Sequence, residues 1–276
     1  MNGIYYSRKR QLKKLTAKSA EVILRRFFIE HSAGLAADRP LQSISGSDAN
    51  HIKNVLRLKA GDKIMLFDGS GNEYEAEIVC MESDTVTAAI LGSSSSLTES
   101  PVRITVAQGF LKDKKMDTLV RQLTELGITG WLPVIAQRSV PRPDSRRLDA
   151  RAERWKKIAA EALKQCRRSR IPDIQPAVSF KEAVTIGNTY NLKIIFWENE
   201  TLSFFPREYR TPVQQGTKIF IMLGPEGGFT SDEIETAAAS GFVTASLGPR
   251  VLRAETAAIA ACTLVQYFFG DMGKKT

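Results

Sequence analysis

The chain has 276 residues, 43% of them hydrophobic and 25% charged, the balance of a soluble globular protein of one or two domains. No apolar run nears the roughly 18 residues that cross a bilayer, and the N-terminus has no apolar h-region, which argues against a membrane span or secretory signal and for the cytoplasm. The net charge of +9 is focused, with +7 in residues 1–26 and +8 in residues 137–170; focused basic charge attracts a polyphosphate partner by counterion release, although a solvated basic helix and tail would look the same.

Residues 1–24 read as a basic extension, with Arg8, Lys9, Arg10, Lys13, Lys14 and Lys18 against Glu21 alone. From Arg25 to Ser95 the segments are short and strand-like. Phe27–Ile29, Lys63–Asp68, Tyr74–Met81 and Thr85–Leu91 are rich in aromatic or β-branched residues, and turns at Ala60-Gly61-Asp62 and Asp68–Asn72 separate them. One helical piece, His51–Leu58, places Ile52, Val55 and Leu56 on one face. A small β-barrel of this size is a frequent RNA-binding module. Ser93–Ser96 and Glu99-Ser100-Pro101 read as a linker.

After Pro101 strands and helices alternate. Val102–Val106, Trp131–Ala136, Lys193–Trp197, Lys218–Leu223 and Val243–Leu247 are buried-type strands. Met116, Leu119, Val120, Leu123 and Leu126 fall at helical spacing, closed by Gly127. Trp155, Ile158, Ala159, Ala162, Leu163 and Cys166 form the apolar stripe of another helix. Two more helices are predicted at Ser231–Ser240 and Glu255–Phe269. The last has Ile259, Cys262, Leu264, Val265 and Phe268 around most of its circumference, which demands burial in the core or against a second subunit. This rhythm predicts an α/β domain over 101–276 with a mainly parallel sheet.

Ligands of such sheets bind beyond the carboxyl ends of the strands. Two glycine-bearing loops lie there: Leu223-Gly224-Pro225-Glu226-Gly227-Gly228-Phe229, leading into a capping box at Thr230 and Glu233, and Leu247-Gly248-Pro249-Arg250-Val251-Leu252-Arg253. Neither has the spacing of a phosphate-binding loop, so a neutral heterocycle read by the backbone is the better fit. Either loop alone also reads as an ordinary tight turn. The three cysteines, Cys80, Cys166 and Cys262, are scattered and only His31 and His51 accompany them, so neither a disulfide framework nor a metal site is indicated.

The strings LGPEGGFTSDEI (Leu223–Ile234) and SLGPRVLRAETA (Ser246–Ala257) closely resemble the signature loops of the 16S ribosomal RNA (uracil-N3)-methyltransferases, the RsmE family of the SPOUT superfamily. RRFF (Arg25–Phe28), HIKNVLRLKAGD (His51–Asp62), KKMDTLVRQLTELGI (Lys114–Ile128) and QRSV (Gln137–Val140) match the same family in order. The resemblance implies a PUA-like β-barrel over 25–95, a trefoil-knotted α/β methyltransferase domain, a homodimer, S-adenosyl-L-methionine (AdoMet) as cofactor and 3-methyluridine as product. The substrate it implies is 16S ribosomal RNA, free or in the assembled small subunit. The chain departs from the family pattern at Gln122, where a lysine is usual, and residues 1–24 have no counterpart.

By the same resemblance, the AdoMet pocket is lined by Trp197, Glu198, Leu223, Gly224, Glu226, Gly227, Gly228, Leu247, Gly248, Arg250 and Leu252. Glu226 either faces the cofactor or orients its own loop. Candidate catalytic residues are Arg253, Arg138 and Glu255. An arginine stays protonated and stabilises a uracil anion, whereas Glu255 either accepts a proton or is a favourable first-turn acid. Arg25, Arg26, Arg57, Lys112, Lys115, Lys164, Arg167 and Arg168 are candidates for RNA phosphates, each also readable as plain surface solvation. Rival readings are a non-enzymatic RNA-binding or ribosome-assembly factor, a knotted methyltransferase acting on transfer RNA, and a nucleotide-using α/β enzyme.

Overall fold

The computed structural model describes residues 24–29, 40–96, 98–112, 114–140, 144–201 and 214–273. The basic extension, Leu24 apart, lies outside the described residues. Five strands form the first unit: β1 (Arg26–Phe28), β2 (Leu41–Ser45), β3 (Lys63–Phe67), β4 (Asn72–Met81) and β5 (Thr85–Ser95), in the order β1-β3-β4-β5-β2. Along β4, Tyr74, Ala76 and Ile78 turn inward while Glu73, Glu75 and Glu77 stay partly exposed, the two-residue period of a sheet with one covered face. The inner residues close a core with Phe27, Ile44, Ile52, Ile64 and Leu66.

Two local expectations for this unit change. The helix predicted at His51–Leu58 begins earlier, as α1 (Gly46–Asn50), and passes into a π-helical turn over His51–Val55. There the Leu56 N–H bonds to the His51 carbonyl at 2.9 Å, five residues back. That spacing breaks the α-helical period, so Ile52 is buried while Val55 is 65% exposed. The serines read as a linker continue β5, where Ser93, Ser94 and Ser95 pair with Tyr74, Glu73 and Asn72. Their backbones are satisfied by the ladder, and their side chains are exposed.

The second unit is a seven-stranded, wholly parallel sheet. It comprises β6 (Arg103–Gly109), β7 (Gly130–Ile135), β8 (Asp173–Ile174), β9 (Val178–Ser179), β10 (Leu192–Phe196), β11 (Lys218–Leu223) and β12 (Val243–Ala245). The order is β12-β10-β11-β6-β7-β8, with β9 also on β7. Helices α2 (Lys115–Glu125), α3 (Ser145–Cys166) and α6 (Ala254–Phe269) cover one face; α4 (Phe180–Gly187) and α5 (Ser231–Ala239) cover the other. In β11, Ile219, Ile221 and Leu223 enter the first core and Phe220 and Met222 the second. Cover on both faces is why these strands read as unbroken apolar runs. Helix α6 buries Ala258, Ala261, Cys262, Val265 and Phe269, and leaves Tyr267 57% exposed. Burial pushes the Cys262 thiol up to about 12, an inert core sulfur.

A polar seam joins the two units. Arg26 pairs with Glu73 at 3.0 Å and donates to the Ser169 hydroxyl and the Arg168 carbonyl. Arg168 is 3% exposed, forks onto Glu99 and donates to the Thr124 carbonyl at 2.6 Å. Lys164 reaches Asp48 at 2.8 Å. Backbone bonds from Ile171 N–H to the Gly69 carbonyl and from Gly71 N–H to the Ser169 carbonyl complete the seam.

Candidate active site

Strands β12, β10 and β11 are neighbours, so the loops leaving their carboxyl ends converge. The two signature loops follow β11 and β12, and β10 between them ends at Phe196 and leads into Trp197 and Glu198. Together they enclose a cavity of about 430 Å³, in the range of small-molecule and cofactor sites. Of the residues nominated for the cofactor, all but Gly227 line it; of the catalytic nominees, Arg253 and Glu255 do.

Glycine is required where the loops touch. Gly228 has φ +67°, and a Cβ there would lie 2.1 Å from Glu198 Oε1. Gly109, at the end of β6, makes room for the first loop, because its Cβ would fall 2.5 Å from the Pro225 nitrogen. Gln108 then holds that loop through Nε2 to the Gly224 carbonyl at 2.9 Å. The predicted capping box at Thr230 and Glu233 is present, and Glu233 Oε1 also accepts the Gln137 N–H at 2.9 Å. Gln137 thus links the QRSV string to α5.

Lys115 joins the pieces. Its Nζ lies 3.2 Å from Glu226 Oε1 and 3.4 Å from Glu255 Oε2, in the same cavity. Glu226 also accepts the Lys112 N–H at 3.1 Å. Burial alone would push the Glu226 carboxyl up, but the Lys112 amide and Lys115 outweigh it and hold it below its ordinary value. The hydrogen bond from Lys115 to Glu226, seconded by both carboxylates' charges, raises the Lys115 amine. Glu226 is thus tied to the start of α2 while still lining the cavity. Glu255 differs, for its Oε2 is buried and, among the described residues, has only that ion-pair contact. Trp197 carries a buried indole N–H that is without a partner among the described residues.

Arg138 stands outside the cavity. Its Nη1 donates to the Gly227 carbonyl at 3.0 Å, and its side chain packs where a Cβ of Gly227 would be, so it braces the first loop from behind.

Residues 98–266 match the RNA methyltransferase domain family, and residues 44–91 match the RNA methyltransferase PUA domain family. The ribosomal RNA small subunit methyltransferase E of Bacillus subtilis is 31% identical over 248 residues, spanning 88% of this chain and 96% of that one. The chain belongs to the ribosomal RNA small subunit methyltransferase E family. The crystal structure of the Neisseria gonorrhoeae methyltransferase E, bound to S-adenosyl methionine, superposes with a TM-score of 0.78 at 30% identity, covering 90% of this chain and 99% of that one. A Legionella pneumophila structure in complex with the same cofactor superposes with a TM-score of 0.79 at 31% identity, covering 91% and 100%.

The eight candidates for RNA phosphates divide by environment. Arg25, Arg57, Lys112 and Arg167 are exposed. Arg57 and Arg167 both take positive φ at helix ends, +56° and +64°. Arg26, Lys164 and Arg168 are engaged in the seam, and Lys115 in the cavity. A guanidinium as buried and paired as that of Arg168 has no face left for phosphate. Its partner Glu99 lies 69 residues away, out of reach of any local pattern. Among the described residues no cluster of His, Cys, Asp or Glu could hold a metal, and no helix is long and apolar enough to cross a membrane.

Proposed function

We propose that the protein transfers a methyl group from AdoMet to N3 of a uridine in small-subunit ribosomal RNA. The observation that carries this reading is the glycine-walled cavity at the ends of three neighbouring strands, with Glu255 and Arg253 at its edge. The cavity suits AdoMet on its own evidence. Gly248, at φ +103°, has open space where a side chain would stand, and Trp197 offers an unsatisfied indole donor. Trp197, Glu198, Leu223, Gly224, Gly228, Leu247, Gly248, Arg250 and Leu252 would hold it, with Glu226 and Gly227 shaping the loop. Bound there, the cofactor supplies an electrophilic methyl group.

The chain's own task is positioning and charge. The N3 edge of uracil is used in base pairing, so the target base enters unpaired. Glu255 accepts the N3 proton on its carboxylate, and Lys115, 3.4 Å from its Oε2, holds that carboxylate in place. Arg253, the residue before α6, stabilises the negative charge on the uracil carbonyl oxygens. Arg138 acts through the Gly227 carbonyl, as a positioning residue. The trefoil knot, the homodimer and a cytoplasmic location belong to the same proposal.

Unmodified small ribosomal subunits are incubated with the protein and AdoMet, then digested for nucleoside mass spectrometry. New 3-methyluridine that requires both protein and AdoMet is expected. Calorimetric binding of AdoMet without 3-methyluridine would overturn the substrate, and absence of AdoMet binding would leave the inert RNA-binding reading.

A further inference from the structure

A second pocket, of about 300 Å³, opens at the opposite edge of the parallel sheet, where the strands begin. Strand β6 runs seven residues from this edge to the cofactor cavity, roughly 20 Å at the usual rise. Three cations line the pocket: Arg103 opens β6, Lys218 opens β11, and Arg170 comes from the segment after α3. Nothing in the cofactor site uses them.

Their arrangement is not what stability alone would select. Arg103 and Lys218 are direct cross-strand partners in the parallel register, so two like charges stand side by side on one face. Such pairs destabilise a sheet. Among the described residues, neither these two side chains nor that of Arg170 has an ion pair or a hydrogen bond to offset the repulsion. One carboxylate, Asp173, shares the pocket and accepts from the Gln175 amide at 3.0 Å. The pocket remains a cationic one.

The floor is shaped as well as charged. Thr105 lies two residues along β6 from Arg103, on the same face, and its register partner is Gly130. A Cβ at Gly130 would sit 2.4 Å from the Thr105 hydroxyl, so only glycine leaves that hydroxyl in place. The Tyr190 hydroxyl bonds it at 2.9 Å, and the Tyr190 ring is braced against Phe220. Arg170 pairs in an isolated bridge with Ser70, and its guanidinium lies over Gly71, in the β3–β4 turn of the N-terminal unit. The pocket therefore opens beside the seam between the two units.

We propose that this pocket binds phosphate groups, and that those phosphates belong to the backbone of the substrate RNA at a distance from the methylated base. Guanidinium and ammonium groups over hydroxyl donors suit phosphate oxygens. A chain that meets both units of the protein passes this seam, whereas a free phosphate would have no reason to be drawn to it. The inference rests on the RNA-methylating reading and adds to it a docking point remote from the reaction.

The test compares the wild type with R103A/K218A, both exposed positions outside the cofactor cavity. Binding to an unmodified small-subunit ribosomal RNA transcript is measured across salt, alongside AdoMet calorimetry and thermal melting. The double variant is expected to melt no lower than the wild type, since a like-charge pair is gone, and to bind AdoMet equally well. Its RNA affinity should fall at every salt concentration, with the slope of log affinity against log salt shallower by about 1.4 for two lost single-strand phosphate contacts. An unchanged slope and affinity, in a wild type that does methylate, would overturn the pocket and spare the function. Titration with inorganic phosphate separates the sources: phosphate binding that needs Arg103 while RNA affinity does not would overturn the RNA assignment. A wild type that binds the transcript through these residues yet makes no 3-methyluridine would overturn the proposed function alone.

Discussion

Glu255 carries a buried carboxylate oxygen held by a long contact, 3.4 Å, to an ammonium that is shared with Glu226. A buried charged acceptor with one long contact is weakly satisfied, and a proton leaving uracil N3 would complete it. Glu255→Gln keeps the shape and loses the base. Turnover should drop by about 10²–10⁴, the usual worth of a general base, while calorimetry finds AdoMet affinity near wild type. Wild-type turnover would reduce Glu255 to a favourable helix-start acid. Gly228→Val tests the neighbouring wall. With φ at +67° and the Glu198 carboxylate where its side chain would go, AdoMet affinity should fall by at least tenfold, the loop being unable to keep its path; unchanged affinity would move the cofactor elsewhere.

At the scale of elements, the seam decides how rigidly the N-terminal unit is held. Exposed ion pairs such as Lys63–Glu75 contribute little, because water and salt screen them. The Arg168–Glu99 fork is different, since Arg168's side chain is only 4% exposed. Glu99→Ala strands that guanidinium and should cost about 3 kcal/mol or more, read as a lower denaturant midpoint; a change under about 1 kcal/mol would mean that the Thr124 carbonyl suffices. Acid acts on the same seam. Burial raises the Glu73 carboxyl, but bonds from Ser169 and Arg26 outweigh it, and the group is held below its ordinary 4.5. Its contribution is complete above that ordinary value and is lost as pH falls through the lower, folded one. The melting temperature should therefore fall more steeply below about pH 4.5 in the wild type than in Glu73→Gln; parallel profiles would rule Glu73 out.

For the whole molecule, the C-terminal helix leaves Tyr267 57% exposed and Met272 nearby 48% exposed, on a helix whose other face is in the core. Apolar exposure there supports the proposed homodimer. Light scattering should report two chains for the wild type and a shift towards one for Tyr267→Glu, while a wild-type monomer would remove the dimer from the proposal.

Much of this was legible locally. The parallel sheet announced itself through apolar runs alternating with helical stripes, and the cofactor loops through glycines, strand ends and the Thr230–Glu233 box, because period, φ freedom and capping act within a few residues. The four-residue reach of such signals is also their limit. α4 and the two-residue strands β8 and β9 are too short to show a period, and Ser93–Ser95 became strand only because β4 was there to pair with them. Lys115 looks like any surface cation of a helix until the β11 loop brings Glu226 to it, 111 residues on. Arg168 looked free for RNA until Glu99 closed over it. Arg103 and Lys218 are neighbours only through the β6–β11 ladder. Composition and local pattern determined most of the longer elements and the glycine-bearing loops at the strand ends; which charges meet, which are spent inside the fold and which are left facing solvent was decided by long-range packing, since pairing energies depend on distances that only the assembled chain defines.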